Sequence, residues 1–385
     1  MKLLIVFGTR PEAIKLAPVI QQAANTPGLL CRICATGQHR EMLSQALDFF
    51  GIAPDYHLNA MRENQDLAGL TARILQSLVP VLARERPEMV MVQGDTVSSF
   101  AATLAAFYAR IPVAHVEAGL RTYDLSAPFP EEGLRQLTAR LAAIHFAPTE
   151  ENRRTLLAEG IPADRIVVTG NTVVDALLFA RKKLSASPLS PLRAYLTDEQ
   201  FERVRNAKRL VMVTAHRREH FGAGLRNICL ALRAIADNHP EALLVYPVHP
   251  NPNVARVVET LLSGCANILL TRPLDYPAFV SLMEASYLIV TDSGGVQEEA
   301  PTLGKPVLLL REATERREAV ESGQVRIVGT DPQCIVAAAR ELLTSEAGYR
   351  RMIAGINPYG DGHAASRIVN RLLADRHPAR TAVSA

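Results

Sequence analysis

A chain of 385 residues with a formal net charge of only +3, from 42 basic and 39 acidic residues, carries no charge excess that would imply a nucleic-acid or membrane partner. With 48% hydrophobic and 21% charged residues it reads as a soluble globular protein, too long for one ordinary core, so two domains are expected. No apolar run approaches the roughly 20 residues that a spanning helix needs. The opening run, Met1 to Phe7, stops at Gly8-Thr9-Arg10, too short for a signal-peptide core, and a cytoplasmic protein is expected.

Short apolar runs at 2–7, 30–36, 88–93, 112–116, 144–147 and 165–168 alternate with amphipathic segments. That pattern predicts parallel strands joined by crossover helices. The first run ends in Gly8-Thr9-Arg10-Pro11-Glu12, and Pro11 suits the first turn of a helix. Arg10 then stands at a strand tip and Lys15 on the helix after it, at the edge where open parallel sheets bind ligands. Cys31 and Cys34 have the spacing of a redox or zinc pair, but they lie within a predicted strand. Residues three apart on a strand face opposite sides, so both are read as core.

The third run delivers Gln93-Gly94-Asp95-Thr96, where Asp95 is either a helix cap or a functional carboxylate. The fourth ends in Glu117-Ala118-Gly119, and Pro128-Phe129-Pro130-Glu131-Glu132 opens another helix. Asp95, Glu117 and one of Glu131 and Glu132 thus fall at strand ends or helix starts on one edge. Such a group suits proton transfer; the competing reading is a set of caps and helix-dipole partners. Glu117 fits capping worst, because Ala-Gly rather than a helical pattern follows it.

Basic, Ser and Pro residues at 181–191 mark a change of composition. The expected domains are 1–180 and 198–363 with a linker at 181–197, and a last helix within 364–385 returning to the first domain. The second half repeats the alternation with runs at 209–214, 242–248, 267–270, 287–291, 306–310 and 325–328. His216 and His249 stand at strand tips, and Arg217 and Arg218 make the first of these a candidate anion site. The run that ends in Thr291-Asp292-Ser293-Gly294-Gly295 leads into a helix start, the form of a phosphate site in which glycines admit a ligand to the backbone. No Walker or G-x-G-x-x-G spacing is present. Glu298 or Glu299 is expected to reach past the phosphate to ribose hydroxyls. The fold class is α/β, with two Rossmann-like αβα domains facing across a cleft.

Nine stretches carry a resemblance: Phe7 to Lys15, Gln38 to Met42, Gly94 to Thr96, His115 to Arg121, Thr169 to Thr172, His216 to Glu219, Tyr246 to His249, Thr291 to Pro301 and Asn357 to Gly362. In order, from about residue 1 to residue 375, they resemble the bacterial non-hydrolysing UDP-N-acetylglucosamine 2-epimerases. The resemblance implies a glycosyltransferase-B-type fold and interconversion of UDP-GlcNAc and UDP-ManNAc for surface polysaccharide synthesis. It implies elimination of UDP to 2-acetamidoglucal and re-addition, with no metal or redox cofactor, in a homodimer.

By the same resemblance Asp95, Glu117 and Glu131 form the acid/base set, and Arg10, Lys15, His216, Ser293 and Gly294 contact or neutralise the UDP leaving group. His216 is counted with the catalytic residues, and Gly295 with the substrate-binding turn. Glu299 is placed at the ribose, Arg316 near the diphosphate and Phe279 near the uracil. Some members are activated by a second substrate molecule, and Gln38, Glu131, Arg217 and His249 fall on positions linked with that site, whereas Glu41 and Asn64 depart from it. Gln93, His220 and Arg317 are further departures from the common pattern. The rival readings are an epimerase of a modified UDP-HexNAc uronic acid, a hydrolysing epimerase, a glycosyltransferase and a sugar-nucleotide sensor.

Overall fold

Every apolar run named above forms a strand in the computed structural model, which describes residues 1–37, 40–62 and 66–374. The chain divides into two units, Met1–Ala176 with Tyr359–Ala385, and Leu177–Pro358.

In the first unit the order is β1 (Lys2–Phe7), α1 (Arg10–Ala24), β2 (Leu30–Ala35), α2 (Arg40–Phe50), β3 (Tyr56–His57), α3 (Leu67–Glu85), β4 (Met89–Gln93) and α4 (Val97–Tyr108). It continues with β5 (Val113–Val116), α5 (Glu131–Leu141), β6 (Ile144–Ala147), α6 (Glu150–Ala158), β7 (Ile166–Val168) and the start of α7 (Thr172–Leu184). The strands form one parallel sheet in the order β3-β2-β1-β4-β5-β6-β7. Winding runs outward from β1 in one direction and then, from β4, in the other, so right-handed crossovers cover both faces with helices. Burial on both faces is why the central strands are continuous apolar runs. Leu4, Val6, Val90 and Val92 of the sheet pack with Leu78 and Leu82 of α3 and Ala102 and Ala105 of α4. Burying each Leu or Val side chain stabilises the fold by about 1.5–3 kcal/mol.

The second unit holds the rest of α7, α8 (Asp198–Asn206), β8 (Arg209–Thr214), α9 (Ala223–Asn238), β9 (Ala242–Pro247), α10 (Pro252–Leu262), β10 (Ile268–Thr271) and α11 (Tyr276–Ala285). There follow β11 (Leu288–Thr291), α12 (Gly294–Glu299), β12 (Val307–Leu309), α13 (Arg317–Glu321), β13 (Val325–Ile327), α14 (Pro332–Thr344) and α15 (Glu346–Ile353). Its parallel sheet is ordered β10-β9-β8-β11-β12-β13. The two sheets therefore reverse their winding at equivalent places, between β1 and β4 and between β8 and β11. Those are the points where such sheets open a crevice at the carboxyl ends of the strands.

Division between the units falls inside α7, which runs on to Leu184, and a 3-10 turn occupies Ser190–Ala194 within residues 181–197. The last helix, α16 (Ala364–Ala374), packs on α1 in the first unit. Asp175 receives its opening amides, at 2.9 Å from Ala365 and 3.3 Å from Ala364. Cys31 and Cys34 both lie on β2 as free thiols, and burial pushes each up to about 12, far from the reactive thiolate. Strand β3 answers to no apolar run, because a two-residue edge strand presents too short a pattern to read.

Candidate functional site

At the β1/β4 switch point the first unit is organised by Glu12. Thr9 caps α1 and Glu12 completes a capping box, accepting from the amides of Gly8 at 3.0 Å and Thr9 at 2.7 Å. The same carboxylate accepts the Thr96 hydroxyl at 2.7 Å, which ties the turn after β1 to the turn after β4. Burial raises the Glu12 carboxyl, and these hydrogen bonds oppose the rise. Arg10, half-buried, thereby stands at the start of α1 beside the turn that carries Asp95.

Asp95 caps nothing: the cap of α4 is Thr96, whose hydroxyl accepts from Ser99 at 3.1 Å. Asp95 Oδ2 instead takes a hydrogen bond from Arg135 Nη2 at 2.5 Å, and Arg135 is itself buried on α5. Glu132 is fully buried, 3.3 Å from Arg135, and accepts from the amides of Thr122 and Tyr123 at 2.9 and 3.1 Å. Of the two carboxylates that open α5, Glu132 is therefore a lock on the preceding loop, and Glu131 is the half-buried one facing no such duty.

Glu117 follows β5 with φ at +65°, a left-handed conformation that costs a residue with a Cβ about 1–3 kcal/mol. Its Oε2 takes hydrogen bonds from the buried Lys15 ammonium and from Asn171 Nδ2, the latter at 3.1 Å. Two residues on, Gly119 is required outright, since a Cβ there would lie 2.3 Å from the Asn152 carbonyl oxygen. The structure thus pairs Lys15 with Glu117 and Asp95 with Arg135, and sequence reading had missed Glu12, Arg135 and Asn171.

In the second unit the turns after β8 and β11 are joined by Asp292, which is fully buried. Its Oδ2 accepts from the amides of His216 at 2.7 Å and Arg217 at 2.8 Å, and its carbonyl accepts Arg217 Nε at 2.9 Å. His216 Nδ1 lies 3.5 Å from Asp292 Oδ1, and its ring stacks on His249 with centroids 5.4 Å apart. Burial and the neighbouring His216 lower the His249 imidazole below its usual value. His216, Arg217 and His249 therefore form one cluster around an acid that the sequence showed only as the end of a strand.

The Ser293-Gly294-Gly295 turn starts a short helix as expected, and its first glycine also stands against a side chain of the protein. A Cβ on Gly294 would sit 3.0 Å from the Arg316 guanidinium carbon, so the missing side chain makes room for an arginine of the protein. Gly295 meets only Glu299 Oε2 at 3.8 Å, and Ser293 occupies the N-cap position without capping through its hydroxyl. Arg316 Nε donates to the buried Glu298 at 2.7 Å and Nη1 to Glu315 at 2.5 Å. Burial raises the Glu315 carboxyl, but Arg316, Arg311 and Arg217 outweigh it and hold the group well below the usual range. Glu298 is thus committed to Arg316, which separates it from Glu299. Glu299 lies beside the first turn of α11, where burial and then its charge push the Tyr276 phenol well up. Phe279, half-buried, is on the next turn of that helix. Gln38 and Asn64 lie outside the described residues.

Among the described residues no group of three or more His, Cys, Asp and Glu side chains is placed to hold a metal ion, and no helix is long and apolar enough to cross a membrane. Two parallel sheets with charged groups at both switch points define an α/β protein of the doubly wound kind. The family described as UDP-N-acetylglucosamine 2-epimerase matches residues 21–373. An enzyme of that name from Yersinia pestis is 54% identical over 372 residues, covering 97% of this chain and 98% of its own. The crystal structure of UDP-GlcNAc 2-epimerase from Neisseria meningitidis bound to UDP-GlcNAc is 47% identical, covers 97% of this chain and 100% of its own, and superposes with a TM-score of 0.90. A glycotransferase of kitacinnamycin, 14% identical with a TM-score of 0.62 over 96% of this chain and 98% of its own, shares the fold alone. The chain belongs to the UDP-N-acetylglucosamine 2-epimerase family.

Proposed function

We propose that the protein interconverts UDP-GlcNAc and UDP-ManNAc without hydrolysing them. The observation that carries this reading is that Asp95 and Glu117 follow neighbouring parallel strands, each paired with a cation and neither capping a helix. In the proposed reaction a carboxylate of the set Asp95, Glu117 and Glu131 takes the C2 proton as the bond from C1 to the diphosphate oxygen breaks. The products of that step are 2-acetamidoglucal and UDP. UDP then adds back at C1 while a proton is delivered to the other face of C2. The C2 proton is only weakly acidic, so stabilising charge on the leaving diphosphate contributes as much as the base does. Arg10, Lys15, His216, Ser293, Gly294, Gly295 and Arg316 are assigned to that charge, Glu299 to the ribose hydroxyls and Phe279 to the uracil.

Arg217 and His249, joined to His216 through Asp292 and by ring stacking, are assigned with Gln38 to binding a second, activating substrate molecule. A cytoplasmic homodimer serving polysaccharide synthesis completes the reading. Proton NMR of UDP-GlcNAc with the protein in deuterium oxide tests it. Deuterium is expected at C2 with UDP-ManNAc accumulating as the minor species. Inversion with retention of the C2 hydrogen rules out the elimination route, and steady release of free UDP moves the protein to the hydrolysing class.

A further inference from the structure

Asn171 is 3% exposed, and three of its polar groups are engaged at once. Nδ2 donates to Glu117 Oε2 at 3.1 Å, Oδ1 accepts from the Val173 amide at 3.1 Å, and the backbone amide donates to the Tyr359 carbonyl at 2.7 Å. The Val173 bond sets the rotamer and the Tyr359 bond sets the backbone, so the side chain has one direction in which to offer its donor. Lys15 reaches the same carboxylate oxygen. Two donors converging on Oε2 orient the plane of the carboxylate and with it the direction of Oε1.

The bond to Tyr359 belongs to a wider contact. Gly170 has φ at +85°, and a Cβ there would lie 3.2 Å from the Tyr359 carbonyl oxygen and 3.4 Å from Gly360 Cα. Gly360 has φ at +115°, and its Cβ would lie 3.1 Å from Gly170 Cα. Two bare backbones therefore pack against each other just where Asn171 begins. The returning segment is also clamped beyond that point: Arg367 pairs with both oxygens of Asp361 at 2.7 Å and donates to the Thr169 carbonyl at 3.0 Å. We propose that Tyr359–Gly362 is a buttress for Glu117, acting through Asn171 as its positioning residue. This rests on the assignment of Glu117 to proton transfer.

The test compares deuterium incorporation at C2 at saturating UDP-GlcNAc, and calorimetric UDP affinity, for the full-length wild type, Asn171→Asp, Gly360→Ala and Glu117→Gln, with Asn171→Asp and Gly360→Ala each also made in the Glu117→Gln background. Asn171→Asp keeps the acceptor for Val173 and turns the donor into a second carboxylate against Glu117. Gly360→Ala pushes Gly170, and with it Asn171, out of register. Each is expected to slow exchange by about tenfold or more, the scale on which small displacements of a catalytic group act, with UDP affinity within about twofold of wild type. Neither is expected to slow the Glu117→Gln protein further. If folded Asn171→Asp exchanges within about twofold of wild type, or if the losses add in full to that of Glu117→Gln, the buttress is wrong. If Glu117→Gln itself exchanges like wild type, the assignment of Glu117 is what has failed. Asn171→Asp conserves shape, so the question remains decided should Gly360→Ala not fold.

Discussion

Arg135 Nη2 lies 2.5 Å from Asp95 Oδ2, and the arginine that makes this contact is buried while the aspartate remains a quarter exposed, at 26%. The cation is thus the fixed partner and the carboxylate the accessible one. Asp95→Asn keeps the shape and leaves the Thr96 cap of α4 untouched. It is expected to lower C2 exchange by about a hundredfold or more, the usual size of an acid/base contribution, with the melting temperature near that of wild type. Arg135→Met is expected to lower exchange and also stability, because it leaves Glu132 buried without its counter-ion. A wild-type exchange rate in Asp95→Asn removes the catalytic assignment.

Gly294 and Gly295 are adjacent but have different neighbours. Gly294→Ala drives a methyl group against the Arg316 guanidinium and loosens its buried pair with Glu298, whereas Gly295→Ala meets only the end of Glu299. Titration calorimetry is expected to show UDP binding weakened by at least about tenfold in Gly294→Ala, as for loss of a charge-assisted contact. Gly295→Ala keeps its melting temperature, since the added methyl group meets only Glu299 Oε2, 3.8 Å away and in ordinary contact. Equal melting temperatures and equal UDP affinities in the two variants contradict the separate roles.

His115 and His145 are buried side by side, with ring centroids 6.5 Å apart, and burial pushes their pKa values down to about 4 and about 3. An imidazole in the unfolded chain takes its proton near 6.5. Below that pH the unfolded state binds protons that the folded state does not, so stability falls as the pH is lowered. The loss is at most about 1.4 kcal/mol per pH unit for each ring, and it continues until the folded rings titrate. Above pH 6.5 the pair contributes no slope. Urea midpoints between pH 7.5 and 4.5 are expected to fall less steeply in His145→Leu than in wild type; parallel slopes contradict the account.

The places of the strands along the chain were legible in the letters because both sheets are parallel and their central strands are covered on two faces, which makes continuous apolar runs such as Leu3 to Phe7 and Leu288 to Val290. The turns were legible too, since Pro11 after Gly8-Thr9-Arg10 and the Ser293-Gly294-Gly295 stretch carry local signals within a few residues. Partnerships were not. Arg135 meets Asp95 across 40 positions, Asn171 meets Glu117 across 54, His216 meets Asp292 across 76, and Thr96 meets Glu12 across 84. Periodicity reports which face a residue buries, a property of its own segment. Which side chains converge depends on β4 lying beside β1 and β11 beside β8, and that order is set by the winding of the whole sheet. The letters alone left Glu131 and Glu132, and Glu298 and Glu299, as equals; the resemblance named Glu131 and Glu299, and the tertiary structure shows what their neighbours are engaged in. Neighbours in sequence that look alike are told apart by what stands opposite them: buried amides and Arg135 for Glu132, and Arg316 for Glu298.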